Sequence, residues 1–360
     1  MRDYINRADE KWGHPEAIQE GWFNITMTSF CDTIKSSREE LKESANMMNN
    51  AMKDMVRTND TEPYQNTKWK EFYTGKNCAE EPDGPSIRVL VGMPKDIGED
   101  EKLPLFFGFS TGILVSAHSP AELGITIIRP YIYESTKRFI QISYDTPRCI
   151  PAHQYPASIN DAHAAYQWVI DHAEELHIDT DRIVWTGISS GGHSALCTAF
   201  RMKRYNWGGA PMPRGIVPIV PVMDDTAFNY SQQIVFNKED GTKSAWDAEQ
   251  NHVCMQSWLG KNYGNPSLLP EAVPTRATSE DVKGYPPVWI PFDGEFDPGT
   301  DSMIEFTTLL RREGIFADVH VWGGNSHQGL QCENTDFGKR VKQVIVGALR
   351  DAVTFDFRRT

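Results

Sequence analysis

A serine flanked by glycines carries the clearest chemical signal in the sequence. Gly-Ile-Ser-Ser-Gly at 187–191 follows a β-rich run, 183–186, and precedes a helix-compatible run, 194–200. Glycines two positions before and after the serine let the backbone turn tightly, so that the hydroxyl protrudes between strand and helix. Amides at the start of the following helix face a developing negative charge. The pattern predicts that Ser189 attacks a carbonyl carbon.

A nucleophilic serine needs a base, and four histidines follow Ser189 in the chain. His193 lies in the predicted helix after Ser189, His252 in a segment without strands, and His320 inside a β-rich run. His327 lies in a glycine-containing loop after the last β-rich run, and on this kind of sheet the histidine comes last, after the acid. We therefore predict that His327 is the base.

Three carboxylates compete for the place of the acid behind the histidine. Asp293, Glu295 and Asp297 all follow the β-rich run 288–292. Asp297 stands in a turn before a proline, where a loop can aim it at His327, whereas Asp293 suits a strand-end turn and Glu295 a solvated position. Spacing favours Asp297 without excluding the others. The acid would hold the imidazole tautomer while His327 takes the proton of Ser189.

Short β-rich runs alternate with amphipathic helical stretches through most of the chain. Residues 159–176 and 303–312 carry apolar side chains at helical spacing. Alternation of this kind predicts an α/β fold whose mostly parallel central sheet has helices on both faces. The predicted strands are 69–73, 87–93, 103–109, 139–144, 183–186, 216–222, 288–292 and 319–322.

Two segments depart from this alternation. Residues 1–65 are polar, methionine-rich and helix-prone, and residues 224–283 contain no strong strand pattern. We expect the catalytic core to comprise 66–223 and 284–360. The segment 224–283 is interpreted as a helical insertion over the carboxyl edge of the sheet.

Composition excludes several classes of protein. A net charge of −13 argues against nucleic acid as a partner. No apolar run approaches the roughly 20 residues that span a bilayer, and no signal-peptide pattern is present, so a cytoplasmic protein without membrane contact is expected. The six cysteines are scattered without metal-ligand spacing. Free thiols, no metal and no cofactor are therefore expected.

Several segments together resemble the hormone-sensitive lipase family of esterases, the α/β-hydrolase fold-3 group. They are 182–192 around the serine, 216–225, 277–287, 294–298 around Asp297, and 323–327 around His327. The resemblance extends over roughly residues 80 to 350. It implies an α/β-hydrolase fold with a helical cap made by 1–65 and 224–283, and it favours Asp297 as the acid.

The same resemblance implies a function. Members of this group hydrolyse carboxylic esters through an acyl-enzyme, so we expect small or medium acyl esters as small-molecule substrates. Related enzymes often pair through a sheet edge or a late helix, which makes a homodimer one possible assembly.

The loop after the third predicted strand departs from the family pattern. The family carries His-Gly-Gly-Gly there, and this chain has Ser-Thr-Gly-Ile at 110–113. The resemblance implies that the amides of Gly112, Ile113 and Ser190 form the oxyanion hole, and a shift of one residue would bring in Thr111. Side chains at this loop add bulk and restrict φ, so hole geometry and the size of the alcohol group stay open.

Other functions remain open on the same residues. The unusual loop could suit a lactone, amide or carbamate, and a ligand-binding protein without catalysis could share the fold. Against the latter, the serine, the acid and the histidine are all present. Thr111, Trp22, Phe23 and Phe228 are candidates for contact with substrate, although the aromatic residues could equally pack inside the cap.

Overall fold

The structure, a computed structural model, describes most of the chain from residue 65 onward. The described residues are 65–109, 120–145, 148, 150, 152–225, 229–233, 248–295, 297–323, 325, 327 and 336–359.

One eight-stranded sheet organises the described residues, in the order β1-β2-β4-β3-β5-β6-β7-β8. β2 runs antiparallel to both of its neighbours. The six strands β3 to β8 are mutually parallel. The carboxyl ends of the parallel strands therefore meet at one edge. The strands are β1 Thr67–Tyr73, β2 Arg88–Pro94, β3 Leu103–Phe109, β4 Ile140–Tyr144, β5 Ile178–Ile188, β6 Gly215–Ile219, β7 Val288–Gly294 and β8 Ala317–Trp322.

Helices cover both faces of this sheet. α1 and α8 pack together on one face, while α2, α3 and α7 contribute buried residues to the other. Three further helices lie between β6 and β7. The helices are α1 Pro120–Ser135, α2 Ala157–Asp171, α3 Ser190–Tyr205, α4 Tyr230–Gln233, α5 Ala248–Leu259, α6 Ser279–Val282, α7 Thr300–Arg312 and α8 Asp336–Thr354.

The predicted fold class is confirmed, and every predicted strand corresponds to an observed one. β5 is longer than predicted because it begins at Ile178, where it pairs with Leu103. Ile178 is followed by Asp-Thr-Asp-Arg at 179–182, and the polarity of these residues hides the start of the strand from a hydropathy pattern. The helix predicted over 159–176 ends at Asp171. Residues 172–177 form a turn instead, in which His177 has a φ of +56°.

The segment 224–283 contains helices and no strand in its described part, 224–225, 229–233 and 248–283. α5 has a small core of its own, in which Met255 and Trp258 pack near Cys197 of α3. None of the helices that the structure describes is long and apolar enough to cross a membrane.

β3 shows how the core is divided by the sheet. Successive strand side chains point to opposite faces, so Phe106 packs with α1 and α8 while Phe107 packs with α2 and α3. The Phe107 ring is fully buried. Its centroid lies 5.3 Å from that of Tyr166, 5.5 Å from that of Tyr144 and 6.4 Å from that of Trp185. Aromatic packing at the centre of the sheet therefore joins strands to the helix layer.

Phe107→Ala is expected to lower the free energy of unfolding by about 3 to 5 kcal/mol, because it removes a buried ring and leaves a cavity. Urea unfolding would measure the change. Ile304→Ala, at a position 40% exposed on α7, should change the free energy by less than about 0.5 kcal/mol. Equal effects of the two substitutions would contradict the assignment of Phe107 to the core.

Candidate active site

Ser189 occupies a sharp turn between β5 and α3. Its φ of +55° and ψ of −121° lie in a region that residues with a Cβ atom rarely adopt. Two backbone hydrogen bonds fix the turn: Ser189 N donates to Ile219 O at 2.9 Å, and His193 N donates to Ser189 O at 3.1 Å. The strained backbone presents the hydroxyl at the carboxyl edge of the sheet.

The turn also requires close contact between backbone segments. A Cβ atom on Gly187 would lie 2.5 Å from the carbonyl carbon of Gly191 and 2.8 Å from the amide nitrogen of Gly192. Any larger residue at position 187 would push the start of α3 away from the end of β5. The glycine is thus explained by packing within the elbow.

Three side chains from distant parts of the chain meet at this edge. Nε2 of His327 lies 2.9 Å from Oγ of Ser189, and Nδ1 of His327 makes a short contact with Oδ2 of Asp297. The Asp297 and His327 side chains are buried, with 2% and 7% exposed. Ser189 follows β5, Asp297 follows β7 and His327 follows β8, so the parallel order of the sheet creates the cluster.

The turn after β7 fixes the orientation of the Asp297 carboxylate. Its Oδ1 accepts a hydrogen bond from Gly299 N at 2.7 Å, and its own amide donates to Gly294 O at 2.9 Å. One oxygen is therefore occupied by the backbone and the other faces the imidazole. A carboxylate in this position favours the tautomer with a proton on Nδ1, which leaves the Nε2 lone pair toward the serine.

The two competing carboxylates lie in different surroundings. Asp293 is fully buried, and its Oδ1 accepts from Gly294 N at 2.9 Å. Burial raises the pKa of Asp293 well above its usual range, and the charge of Asp297 raises it further. Both effects favour the uncharged form of the carboxyl group. Glu295 is partly exposed, and its amide donates to Trp322 O at 3.1 Å.

Of the proposed oxyanion donors, the structure describes Ser190, the first residue of α3, which is buried. Its position at the helix start suits an amide that faces a developing negative charge. Gly112 and Ile113 lie outside the described residues. The substrate-contact candidates Thr111, Trp22, Phe23 and Phe228 also lie outside them.

Further polar side chains, which sequence reasoning assigned no role, tie the segment after β6 to the start of α7. Oδ2 of Asp224 accepts from Nδ2 of Asn229 at 2.8 Å and from Oγ of Ser302 at 3.0 Å. Oγ of Ser231 donates to Pro298 O at 3.0 Å, next to Asp297. These bonds hold the turn that contains Asp297 and Pro298 against the segment after β6. In the sequence, only the pair of aspartates after β6, Asp224 and Asp225, marked this region, and nothing indicated which residues they would bind.

Comparison with known proteins agrees with this geometry. A family model described as alpha/beta hydrolase fold matches residues 121–331. Esterase LipI from Mycobacterium tuberculosis is 30% identical over 241 residues, which cover 66% of this chain and 70% of LipI. Carboxylesterase NlhH from the same species is 28% identical over 237 residues, which cover 65% of this chain and 68% of NlhH.

A solved structure gives the same result for the fold. The structure titled Bacterial Heroin Esterase superposes with a TM-score of 0.76 at 20% identity, over 95% of this chain and 98% of that one. At this identity the likeness concerns the fold alone. Because the family match extends over more than half of the 360 residues, the chain belongs to the α/β-hydrolase fold family, in the hormone-sensitive lipase type that the sequence resembles, and is a hydrolase of the carboxylesterase type.

Proposed function

We propose that this enzyme hydrolyses carboxylic esters with small or medium acyl groups through an acyl-enzyme on Ser189. The observation that carries the proposal is the 2.9 Å contact between Oγ of Ser189 and Nε2 of His327, whose other ring nitrogen contacts Asp297. A hydroxyl at hydrogen-bond distance from a neutral imidazole can lose its proton as it attacks a carbonyl carbon. The names of the relatives, esterase and carboxylesterase, support an ester as the substrate.

The reaction proceeds in two halves. In the first, His327 accepts the proton of Ser189, the hydroxyl oxygen attacks the ester carbonyl, and the imidazolium then protonates the leaving alcohol. In the second, a water molecule loses its proton to His327 and attacks the acyl group on Ser189. The imidazolium of His327 then returns the proton to Oγ of Ser189 as the carboxylic acid leaves, which restores the free serine.

Negative charge on the carbonyl oxygen must be stabilised in both halves. The amide of Ser190, at the start of α3, supports such a role through its position. On the basis of the family resemblance, we assign the remaining donor amides to Gly112 and Ile113. Asp297 stabilises the imidazolium, and its burial strengthens that interaction because water screens it little.

A cap over the site is the second part of the proposal. We assign it to residues 1–65 and 224–283, with the core in 66–223 and 284–360. The helical content of the described part of 224–283 and the packing of α5 on Cys197 support this division. Thr111, Trp22, Phe23 and Phe228 would line the acyl or alcohol pocket.

Ser189→Ala should lower kcat for p-nitrophenyl acetate, butyrate and octanoate on the order of 10⁴-fold or more, because the attacking oxygen is absent. Ser194→Ala, at the second serine of α3, should retain activity. A reactive organophosphate should add one phosphoryl group to the wild type and none to Ser189→Ala, as read by mass spectrometry. A labelled Ser189→Ala variant, or an unchanged rate, would contradict the proposal.

Substitution of the three carboxylates separates their roles. Asp297→Asn should lower kcat by about 10³- to 10⁴-fold, because an amide favours the wrong imidazole tautomer. Glu295→Gln, the partly exposed control, should change kcat less than about threefold. Asp293→Asn should also retain most activity, since Asp297 is the carboxylate that contacts His327 and burial already favours the uncharged form of Asp293. A larger loss in Glu295→Gln than in Asp297→Asn would overturn the assignment of the acid.

Gly187→Ala should lower kcat by roughly 10- to 100-fold, because the added Cβ displaces the start of α3 and misplaces Oγ of Ser189. Steady-state kinetics alongside circular dichroism would separate this effect from unfolding. Gly347→Ala in α8, where a Cβ atom meets nothing within 4 Å, is the matched control and should keep wild-type kinetics. Wild-type kcat in Gly187→Ala would show that the close approach is unnecessary.

A further inference from the structure

A cysteine, a glutamate and a histidine meet outside the Ser189 site. Cys78 and Glu80 lie in the connection between β1 and β2, and His163 lies in α2. One ligand atom from each, the thiol sulfur, a carboxylate oxygen and a ring nitrogen, all lie within 4.8 Å of one another. No sequence spacing predicts this group, because His163 is 83 residues further along the chain than Glu80.

The imidazole of His163 is fixed and points into the cluster. Its ring stacks on the Trp207 indole, with centroids 3.3 Å apart and planes 3° from parallel. The residue is 4% exposed. Nδ1 lies 3.0 Å from a carboxylate oxygen of Glu80, close enough for both atoms to bind one ion.

The chemical types of these groups suit a metal ligand set, because a thiol sulfur, a carboxylate oxygen and an imidazole nitrogen are all zinc ligands. Cys78 and His163 are buried. Metal binding would displace the thiol proton into solvent.

We propose that Cys78, Glu80 and His163 bind one Zn²⁺ ion through Sγ, a carboxylate oxygen and Nδ1. Thiolate and imidazole ligands favour zinc over magnesium or calcium, which prefer oxygen. Tetrahedral zinc places its ligand atoms about 3.5 Å apart, a separation that small side-chain rotations can reach here. Water fills the fourth position from the side of the exposed Glu80.

The charges around the cluster allow a cation. The thiolate and the carboxylate together neutralise Zn²⁺. The positive groups nearby already have partners: Arg201 pairs with Glu271 at 3.2 Å, and Arg148 pairs with Glu81 and Asp161.

A metal at this position would be structural. It would link the β1–β2 connection to α2, which packs against α3, the helix that begins beside Ser189. The inference goes beyond the proposed function and does not rest on it, because no step of ester hydrolysis involves these residues.

Metal content and metal spectra test the inference without any measurement of activity. The full chain would be dialysed against EDTA, reloaded with Zn²⁺ or Co²⁺, and freed of excess metal. We expect one zinc ion per chain, a rise in Tm with Zn²⁺ and none with Mg²⁺, and a thiolate-to-cobalt charge-transfer band for the Co²⁺ form.

Cys78→Ser should lose the cobalt band and the bound zinc, and His163→Gln should lose the bound zinc. Cys197→Ser and His172→Gln, the second a change just beyond the end of α2, are the matched controls and should retain both. A folded wild type without stoichiometric zinc or the band would overturn the proposal and leave a hydrogen-bonded cluster only. A band that survives Cys78→Ser would overturn it equally, since the metal would then bind another cysteine.

Discussion

The left-handed backbone at Ser189 is the constraint around which the described site is arranged. A residue with a Cβ atom tolerates φ of +55° only where its surroundings leave no relaxed alternative. Here the carbonyl of Ile219 accepts a hydrogen bond from the Ser189 amide, and Gly187 allows the start of α3 to lie against the end of β5. β5 is paired on both sides, with β3 and with β6, so neighbouring strands hold the strained turn in place.

The remaining site residues depend on the parallel order of the strands. Because β5, β7 and β8 all end at the same edge, short loops after each bring Asp297 and His327 to Ser189. Because Asp297 and His327 are buried, water competes little with their interaction. Burial also raises the pKa of Asp293, four residues before Asp297, and so favours its uncharged form.

Much of the fold could be predicted because its signals are local. Apolar runs of strand length mark buried parallel strands, and all eight predicted runs correspond to strands. The start of β5 could not be predicted, since residues 179–182 are polar and join the sheet only by pairing beside β3. In the site, Ser189 could be predicted from its glycines. The bonds of Asp224 to Asn229 and Ser302 could not, because they join residues up to 78 positions apart.

The sequence by itself predicted the α/β alternation and a candidate nucleophile, because these depend on neighbouring residues. The order of serine, acid and histidine was predicted from the expected fold. The sequence limited the candidates for the acid to three carboxylates within five residues, and only the family resemblance favoured one of them, Asp297. Tertiary structure decided which of them contacts His327, since the turn at Gly299 directs the Asp297 carboxylate. It likewise brought Cys78, Glu80 and His163 together. Contacts of this kind depend on how strands and helices pack, so the spacing of residues along the chain does not show which side chains come together.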